Sequence, residues 1–274
     1  MPQSDRRRAV FLDVDGTLID REERLAASSV DAVRQARAAG HLVFVCTGRA
    51  PAEISAAVRD IGFDGIISAG GAFIEHDGRL VAGSTMSPGQ LAEIIGFLER
   101  ERIEYILQGF QAVYPSTGLV ERLRELLGEL DVGDWAVRSG ETRPDPEAIE
   151  PIGKTTFFGE DPTTFATVRE GLGSRFHVLT GTMPYLGEAG GEVSLPGMNK
   201  GSAIVTLASR IGVPLVDVIA IGDSANDVEM LEVAGVGIAM GNADGDIKAR
   251  ADEVTASVTA DGVWKAFRRH GLAG

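Results

Sequence analysis

Short apolar runs alternate with helical segments at both ends of this chain, and that alternation limits the fold more than any other feature. The predicted strands are Val10–Asp13, Leu42–Cys46, Gly65–Ser68, Val216–Ile221 and Val236–Met240. The predicted helices are Ser28–Ala39, with Ser28 as its N-cap, Ala52–Asp60, Asn199–Ile211 and Asn226–Ala234. Strands joined through helices form parallel sheets covered on both faces. The two ends of the chain therefore predict one α/β core with a doubly wound, Rossmann-like parallel sheet.

The middle of the chain has a different character and predicts a second, inserted domain. Its predicted elements are mixed helices and strands, namely Gln90–Arg102, Ile103–Gln108, Ala112–Tyr114, Leu119–Leu127, Lys154–Phe158, Thr163–Leu172 and Phe176–Thr180. About a hundred residues suffice for an independent α+β domain. We therefore expect residues 1–82 and 191–274 to form the core and residues 83–190 to form the insertion. Hinges are expected near Ala82–Ser84 and Glu188–Glu192.

Composition excludes several classes of partner. The chain has 274 residues and a net charge of -14, so nucleic acid and anionic membranes would repel it. It contains one cysteine, Cys46, and therefore no intrachain disulfide. No apolar run approaches a membrane span, and the basic N-terminus lacks the apolar region of a signal peptide. We expect a cytoplasmic protein, a monomer or homodimer.

Two carboxylates mark the end of the first predicted strand. Asp13 and Asp15 are two residues apart, so an extended backbone projects both from one face. Carboxylates held close together repel, and one is driven toward holding a proton unless a cation neutralises the pair. An ionised nucleophile beside a protonated acid is what covalent phosphoryl transfer requires. Gly16 then allows the backbone to turn away from the sheet.

Four short motifs at the ends of predicted core elements resemble those of the haloacid dehalogenase superfamily. They are Asp13-Val14-Asp15-Gly16-Thr17-Leu18, Cys46-Thr47-Gly48-Arg49, Met198-Asn199-Lys200-Gly201 and Gly222-Asp223-Ser224-Ala225-Asn226-Asp227. Their order and separation also match that superfamily. The resemblance implies that Asp13 is a nucleophile forming an aspartyl-phosphate. It implies that Asp15 is the general acid that protonates the leaving oxygen and later activates water.

The resemblance also implies a Mg²⁺ site. Asp223 would complete it with Asp13 and the backbone carbonyl of Asp15, an oxygen set suited to this cation. Asp227 is expected to orient Lys200 or a metal-bound water, and we count it with the metal-site residues. Asn226 is expected to approach the phosphate or the metal shell. For both Asn226 and Asp227 the alternative is simple helix capping.

The remaining site residues are expected to bind phosphate. Thr47 and the backbone of Gly48 would hold phosphate oxygens, while Arg49 would either reach substrate or pair with a carboxylate. Lys200 would neutralise the nucleophile and the phosphoryl group. Only four of the 26 basic residues are lysines, so a lysine kept at this position suggests that a compact point charge is needed.

The details narrow the resemblance to the Cof-like subfamily with a type 2 (C2B) cap. The long insertion separates Thr47 from Lys200, and Gly237 to Ala243 also fits that subfamily. One departure is visible, because many relatives have Asn-Gly-Ala where this chain has Ala69-Gly70-Gly71-Ala72. An acid at Asp15, where P-type ATPases carry threonine, favours rapid turnover over a persistent intermediate.

These features predict a Mg²⁺-dependent phosphomonoester hydrolase. Its substrate would be a small phosphorylated metabolite, such as a sugar phosphate or a nucleotide-type cofactor. The alternatives are a phosphomutase of the same fold and a non-catalytic regulator that binds a phosphorylated metabolite. The inserted domain is expected to act as a lid that selects the leaving group, with Gln108, Tyr114, His177 and Glu192 as candidate contacts.

Overall fold

The structure, a computed structural model, describes residues 6–116, 119, 146, 149–159, 161–180 and 189–274. Its contacts divide the chain into two compact units, which are described separately. The first unit comprises Met1–Gly48, Ile54–Ala82 and Asn199–Gly274. The second unit comprises Arg49–Glu53 and Gly83–Met198. None of the helices found in the described ranges has the length and apolar character needed to cross a membrane.

The described strands are, in chain order, β1 (Ala9–Leu12), β2 (Leu42–Cys46), β3 (Gly65–Ser68), β4 (Phe73–His76), β5 (Arg79–Gly83), β6 (Glu104–Gly109), β7 (Val113–Pro115), β8 (Ile152–Phe158), β9 (His177–Thr180), β10 (Gly190–Ser194), β11 (Val218–Gly222), β12 (Val236–Ala239) and β13 (Glu253–Val254). The described α-helices are α1 (Ala27–Ala38), α2 (Ala56–Arg59), α3 (Pro88–Arg100), α4 (Thr164–Leu172), α5 (Lys200–Ile211), α6 (Val228–Val233), α7 (Gly245–Lys248) and α8 (Gly262–Arg269).

An eight-stranded sheet forms the centre of the first unit. Its strand order is β13-β12-β11-β1-β2-β3-β4-β5, and the pairings from β13 to β3 are parallel, while β3 and β4 are antiparallel. Strands β1 and β11, from opposite ends of the sequence, are direct neighbours. The predicted doubly wound parallel core is therefore confirmed, with an antiparallel hairpin added at one edge.

Two apolar layers cover the faces of this sheet. Val10 and Leu12 of β1 belong to the cluster that includes residues of α1 and α8. Phe11 belongs to the opposite cluster, with residues of α5 and α6, and its ring stacks on Phe44 at 4.9 Å between centroids. Because side chains alternate between faces and both faces are covered, β1 and β2 are apolar throughout and fully buried.

The register of the parallel strands brings their carboxyl ends to one edge. Leu12 pairs with Val45 of β2 and with Ile221 of β11, so the residues that follow these strands emerge side by side. The N–H of Asp13 donates to the Ile221 carbonyl at 3.0 Å, and the N–H of Thr47 donates to the Ile67 carbonyl at 2.8 Å. Ligand sites of open α/β sheets form at this edge.

Three predicted helices differ from the structure. The segment predicted as one helix over Asn226–Ala234 is a 3₁₀ turn at Ala225–Asp227 followed by α6. Helix α1 begins at Ala27 after Ala26, and its N-cap makes no side-chain bond, so Ser28 is not the cap. The Ser28 hydroxyl donates instead to Asp261 Oδ1 at 2.6 Å. The segment predicted as one helix over Ala52–Asp60 is a 3₁₀ turn at Pro51–Glu53 followed by α2. Ser55 interrupts it, because its side chain accepts the Val58 N–H as a new N-cap.

The second unit contains a five-stranded antiparallel sheet in the order β7-β6-β8-β10-β9. Helix α3 begins with a capping box between Ser87 and Gln90. Buried residues of α3 and α4, including Leu91, Ile94 and Val168, pack with Leu107 and Phe157 of the sheet. The helix predicted near Leu119–Leu127 lies outside the described residues apart from Leu119.

The second domain boundary differs from the expected one. Residues Gly190–Ser194 form β10, and Glu192 lies between Thr156 of β8 and Leu179 of β9, so this segment is not a hinge. The second unit continues to Met198, and the core resumes at Asn199. A strand that begins with two glycines is hard to recognise from sequence. Glycine is needed at Gly191, because an added Cβ would lie 2.4 Å from the Phe157 ring.

Replacing Gly71 with alanine should destabilise the first unit. Gly71 has a φ of 109°, and an added Cβ would lie 2.4 Å from the carbonyl oxygen of Asn199, at the start of α5. Backbone strain and overpacking together should cost about 2 kcal/mol or more, which corresponds to a fall in Tm of about 4–8 °C. Calorimetry of Gly71→Ala measures this fall. The matched control is Gly96→Ala in α3, where a Cβ meets nothing within 4 Å and the Tm should stay or rise. Equal Tm values for the two variants would contradict the steric argument.

Candidate active site

A buried lysine joins two carboxylates at the carboxyl edge of the parallel sheet. Lys200 Nζ donates to Asp13 Oδ1 at 2.6 Å and to Asp227 Oδ1 at 2.5 Å. The exposed fraction of Lys200 is 1% and that of Asp13 is 3%. Burial by itself would lower the pKa of Lys200, but Asp13 and Asp227 raise that pKa above its ordinary value. Lys200 is therefore a permanent cation beside Asp13.

The start of α5 places Lys200 in this position. Asn199 is the N-cap: its side chain accepts the Ser202 N–H at 2.8 Å, and the Ser202 hydroxyl accepts the Asn199 N–H at 3.1 Å. This reciprocal capping box fixes Lys200 as the first helical residue. The position of Lys200 is therefore determined by neighbouring residues, since the lysine directly follows the N-cap of α5.

Asp227 connects Lys200 with the loop that follows β11. Its Oδ2 accepts the backbone N–H groups of Asp223 and Ser224, each at 3.0 Å, while its Oδ1 accepts Lys200. Both oxygens thus receive donors from the protein. Asp227 lies where it can orient Lys200, as expected, and it also holds the turn as a capping residue would. Asp227 can therefore both orient Lys200 and cap the turn after β11.

Three carboxylates lie close enough to hold a metal ion. Asp13, Asp223 and Asp227 each offer an oxygen, and these oxygens lie within 4.8 Å of one another. An all-oxygen donor set fits a hard divalent cation. Gly16 makes room for this cluster: its φ is 80°, and an added Cβ would lie 2.1 Å from Asp223 Oδ2. The predicted pairing of Asp13 with Asp223 is thus present in the geometry.

Crowding of negative charge is the main electrostatic feature of this cluster. Burial raises the pKa of Asp13 well above its ordinary value, and Asp227 adds to that effect while Lys200 opposes it. Burial, followed by Asp227, raises the pKa of Asp223 to about 7. One lysine therefore does not compensate the carboxylates, and a divalent cation would supply the missing positive charge.

Asp15 is placed differently from Asp13. It is exposed, and the backbone around it turns back, since the Gly16 N–H donates to the Ile19 carbonyl at 2.8 Å. Asp15 does not belong to the trio of carboxylates, although its charge is among the lesser causes, after burial and Asp227, that raise the pKa of Asp13. The sequence predicts an ionised Asp13 beside a proton-carrying Asp15, and the structure places the first carboxylate buried and the second exposed. The roles assigned to them remain predictions.

The described bonds of the predicted phosphate-binding residues Thr47, Arg49 and Asn226 are made within the protein. Thr47 is buried directly after β2, and its carbonyl accepts the Gly70 N–H at 3.0 Å. Thr47 and Gly48 belong to the first unit, whereas Arg49 belongs to the second, where its guanidinium donates to the Glu53 carbonyl at 3.3 Å. Asn226 Oδ1 accepts the Ser224 hydroxyl at 2.8 Å, a contact within its own loop. Phosphate contacts by these residues remain predictions.

Sequence reasoning gave no role to Asn242, which the structure places at the carboxylate cluster. Its Nδ2 donates to the Gly16 carbonyl at 2.9 Å and to Asp223 Oδ2 at 3.1 Å. The available signal was its position, because Asn242 follows shortly after β12 at the carboxyl edge of the sheet. Strand-end polar residues at that edge are candidates for any site formed there.

The fold and the site together define a class of protein: an α/β core with a buried aspartate–lysine centre at the carboxyl edge of its parallel sheet. The family model of haloacid dehalogenase-like hydrolases matches residues 10–267. The chain belongs to this family, and the resemblance inferred from the four motifs is confirmed.

The chain is similar over nearly its whole length to known proteins of this kind. It is 31% identical to the phosphatase YwpJ of Bacillus subtilis, covering 93% of this chain and 97% of that protein. It is 30% identical to a phosphoglycolate phosphatase of Methanothermobacter thermautotrophicus, covering 96% and 98%. A solved haloacid dehalogenase-like hydrolase of B. subtilis superposes with a TM-score of 0.80 at 27% identity, covering 95% of this chain and 99% of that one.

The charge on Asp223 should lower the stability of the metal-free protein as the pH rises. The folded-state pKa of about 7 exceeds the ordinary value of 3.8, so the folded state holds an extra proton between these values. Stability therefore falls as the pH rises through this interval. In EDTA, Asp223→Asn should have a higher Tm than the parent at pH 8, and the difference should shrink toward pH 5.

Thermal unfolding at several pH values measures this difference. The control is Asp244→Asn, which removes an exposed carboxylate outside the trio. A Tm difference between Asp223→Asn and the parent that does not change with pH would contradict the assigned cause.

Proposed function

We propose that the protein is a Mg²⁺-dependent phosphomonoester hydrolase that acts through an aspartyl-phosphate on Asp13. The observation that carries the proposal is the 2.6 Å contact of Asp13 with the buried Lys200, beside the carboxylate of Asp223. A nucleophilic carboxylate needs a neighbouring cation to remain ionised when it is buried. Lys200 supplies that charge and also attracts the phosphoryl group.

The proposed reaction has two steps. In the first, a carboxylate oxygen of Asp13 attacks phosphorus, the bond to the leaving oxygen breaks, and Asp15 gives that oxygen its proton. In the second, water attacks the aspartyl-phosphate, Asp15 takes the proton from the water, and the bond between Asp13 and phosphorus breaks. The exposed position of Asp15 supports a role that requires contact with leaving group and water.

The acidic trio supports the metal part of the proposal. Asp13 and Asp223 would hold Mg²⁺, with the backbone carbonyl of Asp15 as an expected further ligand and Asp227 beside the ion in the same cluster. When bound, the cation would offset charge on the phosphoryl oxygens and on the carboxylates. Lys200 holds one oxygen of Asp227, and this contact favours the orienting role for that residue.

The relatives support a small phosphorylated substrate. One is named a phosphatase and another a phosphoglycolate phosphatase, and both align over almost the whole chain. We propose a sugar phosphate or a nucleotide-type cofactor as the substrate, with Thr47 and Gly48 holding the phosphate. Arg49 and Asn226 are proposed as further contacts.

The second unit is proposed to act as a type 2 cap that selects the leaving group. Its sheet carries polar groups that are already paired: Lys154 Nζ donates to Glu192 Oε1 at 2.8 Å, and Gln108 Nε2 donates to Glu53 Oε2 at 2.7 Å. Tyr114 donates its hydroxyl to Glu150 Oε1 at 2.9 Å. Within the described part of the chain no donor bonds the buried Oε1 of Gln108, so Gln108 is the best-supported specificity contact among the predicted candidates.

Substitution of either aspartate of the first motif should abolish or strongly reduce phosphate release. Asp13→Asn removes the nucleophile and should leave no measurable turnover. Asp15→Asn removes the acid and base and should lower kcat by roughly 100- to 10,000-fold. The assay measures inorganic phosphate released from a panel of phosphorylated metabolites with Mg²⁺ and with EDTA.

The matched control for these variants is Asp31→Asn, which changes an exposed aspartate of α1 and should retain full activity. Activity retained by Asp13→Asn would refute the covalent route. Isomerisation of a substrate without net phosphate release would identify a phosphomutase instead.

A further inference from the structure

Asn242 contacts three separate segments of the first unit with one side-chain amide. Its Nδ2 donates to the carbonyl of Gly16 at 2.9 Å and to Asp223 Oδ2 at 3.1 Å. Its Oδ1 accepts the N–H of Val258 at 2.9 Å. The amide therefore links the loop after β1, the loop after β11 and the loop after β13.

The orientation of this amide is determined by its partners. A backbone N–H such as that of Val258 can only be accepted by the amide oxygen, so the NH₂ group must face Gly16 and Asp223. The two protons of that group then have one acceptor each. Asn242 is exposed, and yet every one of these bonds is directed at backbone or at the half-buried carboxylate of Asp223.

The loop that carries Asn242 is itself anchored. Lys248 Nζ donates to the Gly241 carbonyl at 2.7 Å, and the Gly241 N–H donates to the Ala256 carbonyl at 3.0 Å. Close packing allows no side chain at Gly241, because an added Cβ would lie 2.6 Å from the Ser257 nitrogen. Asn242 thus extends from a fixed backbone, which a positioning residue requires.

The contact with Asp223 is directional. Thr17 places its hydroxyl 3.5 Å from Asp223 Oδ1, while Asn242 donates to Oδ2, so the two carboxylate oxygens have different neighbours. Gly16 lies directly against the same carboxylate. Its carbonyl accepts a hydrogen bond from the Asn242 amide nitrogen that also donates to Asp223. Asn242 therefore fixes both the rotation of Asp223 and its distance from the loop that carries Asp13.

We propose that Asn242 is a positioning residue for the divalent cation, acting through Asp223. The inference rests on the proposed metal-dependent function and adds a residue that the motifs do not include. Carboxylates that ligate metals are themselves hydrogen-bonded, and loss of such a partner typically weakens metal binding about 10- to 100-fold. Asn242 is such a hydrogen-bond partner of Asp223.

Calorimetric titration with Mg²⁺ alone tests the proposal without any substrate. Asn242→Ala should raise the Kd for Mg²⁺ roughly 10-fold or more. The matched control is Thr259→Ala, which removes an exposed neutral hydroxyl next to Val258. Among the described residues this hydroxyl forms a hydrogen bond only with Ser257. The Kd of this variant should stay within about twofold of the parent, since no partner of a metal ligand is lost.

Two further measurements separate positioning from folding. In EDTA the Tm of Asn242→Ala should fall only modestly, because three hydrogen bonds of an exposed side chain are lost. In the phosphatase assay the Mg²⁺ concentration for half-maximal rate should rise while kcat at saturating Mg²⁺ recovers. Asn242→Ser is the second variant, because its single hydroxyl cannot donate to both Gly16 and Asp223, and it should weaken Mg²⁺ binding in the same direction.

The outcomes are distinguishable. If the parent binds Mg²⁺ and both Asn242 variants bind it equally well, the positioning role is refuted while the proposed function stands. If the parent binds no Mg²⁺, the metal-dependent function itself is refuted. Weakened Mg²⁺ binding in both variants, measured well below the Tm of each, supports the role of Asn242.

Discussion

The buried ion pair between Lys200 and Asp13 is the interaction on which the site depends. Burying an isolated charge here would cost much free energy. Lys200 is tolerated because the carboxylates of Asp13 and Asp227 both accept hydrogen bonds from its ammonium group. The reverse also holds, since burial pushes these carboxylates toward protonation and the lysine opposes that push. Removing one member would therefore leave the others uncompensated. The capping box at Asn199 positions Lys200, and the parallel pairing of β1 with β11 positions Asp13. Together they bring the two charged groups into contact from distant parts of the sequence.

A second constraint is the surplus of negative charge that Lys200 leaves behind. Asp223 lies beside Asp13 and Asp227, and its pKa of about 7 shows how strongly burial and its neighbours disfavour its charge. Glycine at position 16 and the amide of Asn242 hold this carboxylate in place nevertheless. A divalent cation bound among these carboxylates would offset this unfavourable concentration of negative charge. This connects the local geometry with the proposed phosphoryl chemistry.

Much of the first unit could be predicted because its signals are local. Strands β2 and β3 have the bounds expected from their apolar runs, and α5 begins one residue after the expected Asn199 and ends at Ile211 as expected. The predicted helix bounds were wrong where hydrogen bonds of side chains overrode the local pattern. Ser28 bonds Asp261 from a distant segment rather than capping α1, and Ser55 starts a new helix within a segment that looked continuous. Strand β10 begins with two glycines, so only its pairing with β8 and β9 identifies it.

The sequence by itself determined the α/β core, the order of the four motifs, and which carboxylates and which lysine the site contains. These features depend on periodicity, caps and strand ends, which are encoded in neighbouring residues. Only the tertiary structure decided which groups touch. It placed both oxygens of Asp227 against donors, assigned Arg49 to the second unit and brought Asn242 to Asp223. The bonds of Lys200 to Asp13 and of Asn242 to Gly16 join residues far apart in the chain, and their distances follow from strand register and loop conformation. No local pattern contains that information, since it arises only when the parallel strands align their carboxyl ends at one edge.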